Sequence, residues 1–445
     1  VARADDDDVV FSGHQRSLLK RPFFVILTDK STVPIGTPFH PRTSALCVSQ
    51  NWRVWSGYLA ASAYEVVHDH EYHAIRNSAA LIDISPLYKY NVSGRDALKL
   101  IDRVATRDAA KCAVGQAMYT CLCDAEGKVI QDGTFFRFEQ NRFRFHLAEP
   151  SMRWLKMNAA GMDVAIDEVS ETIAAVALQG PTSREIVRSI FGDAVDRLKF
   201  FRFATLDLEG VPIVLSRTGY TGDLGYELWI GAERAVEFWD LITRAGKPYG
   251  IKPAGMLALD LARLEAGFIL LEVDYTSAEK ALIASQKYSP LEIGLGWTVA
   301  LDKENFVGKK ALAEENRRGS ARALVGLEID WSDYERLYRE VGLAPELPSA
   351  AWRGGVPLYS GAKQVGQATT GGWSPTIKRY IALATVVSDF ARPGRELSME
   401  LTVDYARKKV RARVVKTPFF DPPRKRLDFS RTPSAPPAPA PSPPT

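Results

Sequence analysis

Apolar positions recur with two different periods along the chain, and these periods divide it into strands and helices. Residues 211–216 and 226–230 read as strands joined through Arg217-Thr218-Gly219-Tyr220-Thr221-Gly222-Asp223-Leu224-Gly225. In the second strand Tyr226, Leu228 and Ile230 share one face, and Glu227 takes the other. Glycines in the connection tolerate positive φ and let a ligand come close to the backbone. Taken alone, the pattern is a hairpin with one exposed carboxylate.

Upstream, the same reasoning predicts strands at 80–83, 89–92, 118–123, 128–138, 142–147 and 174–178. A turn, Asp124-Ala125-Glu126-Gly127, pairs the third of these with the fourth. A helix at 96–104 puts Leu98, Ile101 and Val104 on one face. Another at 182–191 opens with Thr182 and Glu185 at capping-box spacing. Downstream, Ala235, Phe238, Trp239 and Ile242 mark an amphipathic helix. Residues 254–266 give a further helix with Leu257, Leu261 and Leu264 as its buried stripe. Asp260 and Arg263 lie together on its other side, and Gly267 is positioned to end it. Residues 37–64 show no clear period and read as irregular. Short β runs at 323–329, 381–387 and 396–403, with glycine and proline between them, predict a small all-β barrel. The fold class expected is α+β, with helices on one face of the sheets and a C-terminal β-barrel.

Composition narrows this little. A chain of 445 residues holds two or three domains, and 46% hydrophobic with 25% charged content is ordinary for a globular protein. A net charge of +4 gives no reason to expect nucleic acid. No run is long enough to span a bilayer. The acidic run Asp5 to Asp8 precedes the short apolar stretch 22–27, the reverse of a secretory signal. Cys47, Cys112, Cys121 and Cys123 form neither a disulfide framework nor a zinc pattern, and a cytoplasmic setting is expected. Cys121 and Cys123 fall on one strand face as buried small side chains. His68, His70 and His73 lie close together, but no cysteine or second acidic cluster completes a metal site, so no metal is expected. The organisation expected is a poorly ordered leader at 1–36, an α+β region of two subdomains at 37–320, the barrel at 321–425, and a disordered tail at 426–445. Residues 433–445 are mostly proline, alanine and serine, which cannot bury a core.

A set of stretches stands in an order that resembles the glycine cleavage system T-protein (aminomethyltransferase) family, which also holds tetrahydrofolate-dependent demethylases. They begin with Glu71-Tyr72-His73-Ala74-Ile75-Arg76, Leu81-Ile82-Asp83-Ile84-Ser85 and the run from Tyr119 to Asp132. Leu178-Gln179-Gly180-Pro181, Arg217 to Glu227 and Arg263-Leu264-Glu265-Ala266-Gly267 follow. Ile293-Gly294-Leu295-Gly296-Trp297, Phe306-Val307-Gly308-Lys309, Ser374-Pro375-Thr376 and Thr417-Pro418-Phe419 complete the set.

The resemblance implies parts arranged around a central hole that holds folate, the last part a barrel. It implies that Glu227 grips the pterin edge, where one carboxylate can accept two neighbouring N–H donors. By the same carry-over Tyr119 and Tyr220 line the pterin site, and Arg263 approaches the anionic glutamyl tail. Asp132 is the implied catalytic residue, acting near folate N5 by position, charge and proton movement. The implied function is tetrahydrofolate-dependent one-carbon transfer from a small-molecule or lipoyl-protein donor, with no nucleic-acid or membrane partner.

Departures concentrate on the donor side. The family's two adjacent acids are Gln131-Asp132 here, and its Ser-His is Ser85-Pro86. Leu147-Ala148-Glu149-Pro150 replaces an asparagine-containing segment. Leu270 to Tyr275, with an insertion to about residue 288, replaces a short Leu-Tyr-Gly connection. Donor identity therefore stays open between an aminomethyl carrier and a small O-, N- or S-methyl compound. A non-catalytic folate-binding protein of the iron–sulfur assembly kind would carry a cysteine between Gly267 and Tyr275, and none is present. A flavin-linked dehydrogenase would need a G-x-G-x-x-G after a strand, and none is found.

Overall fold

The computed structural model describes residues 33–431. A six-stranded sheet lies at the centre, in the order Phe203–Leu208, Val211–Ser216, Gly225–Gly231, Ile173–Gln179, Ala79–Asp83, Ile251–Pro253. Its first face carries Leu178, Ile213, Leu215, Tyr226, Leu228 and Ile230, packed against Ile186, Val187, Phe238, Trp239 and Ile242. These last come from the helices Ser183–Phe191 and Ala235–Gly246, whose apolar stripes face the sheet. Each such buried side chain contributes about 1.5–3 kcal/mol.

The opposite face is not solvated. Ala80, Ile82, Ala175, Ala177 and Trp229 share a core with the helices Asp69–Asn77 and Met256–Glu265. That core also takes Cys121, Cys123 and Val129 from a five-stranded sheet. The second sheet runs Gln116–Cys123, Val129–Glu139, Arg142–Leu147, Tyr88–Ser93, Ala165–Glu168. Helices thus cover both faces of the central sheet, where the sequence pattern had placed them on one. The cause is the helix Met256–Glu265, which is buried on nearly all sides. Glu265 pairs with Arg76 at 2.7 Å and accepts bonds from Tyr72 and Ser374. Such a helix can be buried only because every charge on it has a partner.

The barrel closes in the order Arg322–Ile329, Arg379–Val387, Lys363–Ser374, Trp352–Ser360, Glu396–Val403, Ala406–Val415. Trp352–Ser360 contains Gly354-Gly355 at a register shift between Arg353 and Val356. A bulge of this kind accommodates residues that otherwise disfavour strands.

Three sequence expectations need correction. Residues 37–64 are regular, forming the helix His40–Leu46 and the hairpin Asn51–Trp55 with Tyr58–Ala63. Ser56 and Gly57, both at positive φ, make its two-residue turn. Ile35–Gly36, assigned to the leader, pairs in parallel with Tyr58 and Leu59, while residues 1–32 lie outside the described residues. Thr182 forms no capping box, because its hydroxyl donates to the Tyr249 carbonyl at 3.1 Å.

The C-terminal segment also differs. Residues 426–431, expected in a disordered tail, return to the central sheet. Phe429 is buried beneath the guanidiniums of Arg184 and Arg217, at 4.5 and 4.7 Å. Arg424 pairs with Asp223 at 2.6 Å. Residues 432–445 lie outside the described residues. Among the described residues, no helix is long and apolar enough to cross a membrane.

Candidate active site

The two sheets meet through aromatic contacts on the strand faces that carry both implied carboxylates. On Val129–Glu139, Asp132, Thr134 and Phe136 alternate to one face. The Phe136 ring meets Trp229 edge-on at 6.3 Å. Trp229 shares its strand face with Glu227. His146, from the strand beside Phe136, stacks on Trp229 at 3.8 Å. Burial holds its imidazole well below the usual histidine range, so it is neutral at pH 7. Asp132 and Glu227 therefore sit on strand faces that are joined by this aromatic cluster. Glu227 is half-buried rather than exposed, because the second face of its strand is covered as well.

Asp132 is held by two phenols. Tyr119 donates to Oδ2 at 2.6 Å, and Tyr275 donates to Oδ1. The Asp132 N–H in turn donates to the Tyr275 hydroxyl at 3.1 Å. Burial raises this carboxyl above the ordinary aspartate range, and the two phenolic bonds oppose the rise. Tyr119 stacks beneath Trp297 at 6.0 Å, and the Arg107 guanidinium sits 5.3 Å over that indole. Trp297 is 61% exposed, so this aromatic column connects Asp132 to the surface.

Glu227 accepts one bond, from Thr218 Oγ1 at 2.8 Å to Oε2, and Oε1 takes no donor among the described residues. Burial pushes the carboxyl up to about 7. The glycines beside it serve the protein's own packing. A Cβ on Gly222 would lie 2.4 Å from Ala266 Cβ, and one on Gly219 would lie 2.0 Å from Gln179 Oε1. The expectation that these glycines clear space for a ligand is therefore replaced by close packing on Ala266 and Gln179.

Tyr220 donates to the Ile269 carbonyl and stacks on Phe268 at 5.7 Å. Arg263 is fully buried. Its Nη1 bonds Asp274 Oδ2 at 2.5 Å and the Phe268 carbonyl at 3.0 Å, and Nη2 bonds Thr370 at 3.1 Å. Asp260, the neighbour expected for Arg263 along the helix, is 3.7 Å from its Nε and is bonded instead by Arg353 at 2.6 Å. Tyr220 and Arg263 thus converge on residues 268–275, the segment that carries Tyr275. At Gln131, one of the departures from the family pattern, the amide is used internally, accepting from the Glu149 N–H at 3.0 Å and donating to its carbonyl at 3.3 Å.

Sequence reasoning missed Thr218, Tyr275 and Trp297 as parts of the site. Thr218 was accessible, since the hairpin register puts Ser216 opposite Glu227. Trp297 stood in a quoted motif without a role. Nothing local marked Tyr275.

The GCVT N-terminal domain model matches residues 42–303, and the glycine cleavage T-protein C-terminal barrel domain model matches residues 339–421. An aminomethyltransferase of Halothermothrix orenii is 33% identical over 354 residues, covering 79% of this chain and 90% of the relative. An aminomethyltransferase of Bacillus subtilis is also 33% identical, covering 79% and 90%. The crystal structure of glycine cleavage system aminomethyltransferase T from Bartonella henselae superposes with a TM-score of 0.73 at 22% identity, covering 87% of this chain and 98% of that one. At that identity the likeness speaks for the fold. With a family model across more than half of its length, and relatives a third identical over nearly four fifths of it, the chain belongs to the glycine cleavage T-protein (aminomethyltransferase) family.

Proposed function

We propose that the chain is a tetrahydrofolate-dependent aminomethyltransferase that takes a one-carbon unit from an aminomethyl donor on a lipoyl carrier. The observation that carries the reading is the pairing of Glu227, with its unpartnered Oε1, and the phenol-held Asp132 on strand faces joined by one aromatic cluster. The donor set suits a reduced folate. Glu227, once ionised, accepts the paired N–H groups of a pterin edge. Tyr119, Tyr220 and Trp297 supply aromatic faces. Tetrahydrofolate would supply the nucleophilic N5 amine that accepts the carbon unit.

The remaining work falls to the protein. Asp132, with both oxygens already accepting phenolic protons, is an acceptor and suits taking or sharing a proton near the reacting nitrogen. Burial around both carboxyls strengthens each of these contacts. Arg263 is committed to Asp274, so its task is to hold residues 268–275. Its full burial keeps it from the surface, and only Nε and one Nη2 N–H are left unbonded.

A second reading, demethylation of a small methyl compound, draws support from Gln131. A neutral amide, internally bonded to Glu149, stands where the family pattern has a second acid. The deciding experiment is incubation with tetrahydrofolate and either an aminomethyl-lipoyl carrier or small methylated compounds. A methylene-folate with ammonia supports the first reading, and a methyl-folate supports the second. Folate binding without turnover on any donor refutes both.

A further inference from the structure

We propose that Tyr275 is a positioning residue for the transfer, its phenol and that of Tyr119 together fixing the Asp132 carboxylate as a hydrogen-bond acceptor. The proposal rests on the reading of Asp132 given above, and nothing in the family resemblance supplies it. Tyr275 lies in the stretch where this chain departs from its relatives.

The geometry is specific. Tyr275 Oη accepts the Asp132 N–H at 3.1 Å, which occupies a lone pair and turns the phenolic proton toward Oδ1. Tyr119 covers Oδ2 at 2.6 Å. Both oxygens of the carboxylate are thereby bonded, and rotation about its terminal torsion would break both bonds. The strand Val129–Glu139 cannot do this alone, because it fixes only the backbone of Asp132.

Tyr275 is itself held through its neighbour. Asp274 Oδ2 accepts from Arg263 at 2.5 Å and from the Leu270 N–H at 2.8 Å, while Oδ1 accepts from Thr369 at 2.6 Å and Thr370 at 2.7 Å. Tyr220 pins the Ile269 carbonyl at the other end of the segment. Tyr220 and Arg263 thus act on Asp132 through one short piece of chain, and the barrel takes part through Thr369 and Thr370.

The titratable groups that interact with Asp132 are Tyr119 and Cys121 from the strand Gln116–Cys123, Tyr220 from the glycine-rich loop, and Tyr275, while Glu227 on the facing sheet does not bear on it. The first four are neutral groups at pH 7. The protonation of Asp132 is therefore set by hydrogen-bond donors working against burial. Removing a donor moves the carboxyl upward.

The test uses the full chain as wild type, Tyr275→Phe, and a form with difluorotyrosine at position 275, whose more acidic phenol is a stronger donor. Carboxyl infrared difference spectra, assigned with Asp132→Asn, read the pH at which Asp132 protonates. Tyr275→Phe should raise that pH by about one unit. It should move the acid limb of kcat by the same amount and lower kcat at neutral pH by about tenfold, with the folate Kd within about twofold. Difluorotyrosine should move the protonation the opposite way. An unmoved carboxyl in folded Tyr275→Phe overturns the proposal, as does a raised KM with an unchanged acid limb. Should Tyr275→Phe fail to fold, the difluorotyrosine form decides alone, and an unmoved or raised titration overturns the proposal. A wild type that turns over no donor defeats the proposed function, and the infrared titration still decides the role of Tyr275.

Discussion

Replacing Glu227 with glutamine separates the charge of this side chain from its shape. Thr218 occupies one oxygen at 2.8 Å, and the other takes no protein donor among the described residues. An ionised carboxylate receiving two pterin donors makes charge-assisted bonds of about 1.5–3 kcal/mol each. Glutamine keeps one acceptor and turns an amide N–H toward the second donor. The expected loss is about 3 kcal/mol, or roughly a hundredfold in Kd.

The pH dependence is the sharper readout. With the carboxyl pushed up to about 7, wild-type affinity should fall close to tenfold per pH unit below about pH 6, while Glu227→Gln stays flat. The stability term has a fixed sign. The folded carboxyl lies above its ordinary 4.5, so between these values the folded state binds more protons than the unfolded state. This contribution is fully present below 4.5 and is lost as pH rises through about 7. It amounts to roughly 3 kcal/mol at most, and less because Glu227 keeps some solvent contact. Calorimetric titration of tetrahydrofolate from pH ~5.5 to ~8, paired with thermal unfolding of both proteins, measures each part. Equal affinity in Glu227→Gln, or a wild-type affinity flat across neutral pH, would refute the placement of the pterin on this residue.

Asp132→Asn should lower kcat by about 10²–10⁴-fold while changing folate Kd only a few-fold, which steady-state kinetics and binding separate. Arg263→Met leaves Asp274 buried without its cation and should cost about 3–5 kcal/mol in a denaturant melt; an unchanged midpoint would count against the buried pair. Gly133→Ala should cost about 1–3 kcal/mol and lower kcat, because the new Cβ would sit 2.6 Å from the His146 carbonyl oxygen, next to Asp132. Phe429→Ala should destabilise by about 3 kcal/mol through loss of its packing under Arg184 and Arg217, read as a fall in Tm.

Local periodicity located much of the sheet structure, and its failures have physical causes. Arg142–Leu147 and Glu396–Val403 match their expected bounds because alternation survives along their whole length. Lys363–Ser374 and Trp352–Ser360 escaped because paired glycines interrupt the strand signal, and the barrel tolerates them through pairing that no local window contains. Asp260 and Arg263 read as a pair on the side of Met256–Glu265 away from its leucine stripe, since a sequence window cannot see Asp274 and Arg353 closing over them. The same limit applies to the site. Glu227 and Asp132 sat in motifs, but the second phenol that holds Asp132 lies 143 residues away, in the stretch 270–275 that departs from the family pattern.

Phe429 and Arg424 also set an order of assembly. The strands of the central sheet are all made by residue 253, so a ribosome releases them well before the barrel is complete. Until residues 424–429 emerge, Arg184, Arg217 and Asp223 lack the aromatic ring and the cation that cover them. The nascent chain can form the sheet early, yet the last ring and ion pair of its core arrive only after the whole barrel has been synthesised. Final closure of the central sheet's helix-packed face is thus tied to completion of the C-terminal half, and chains that stop short of residue 424 leave that core open to proteolysis.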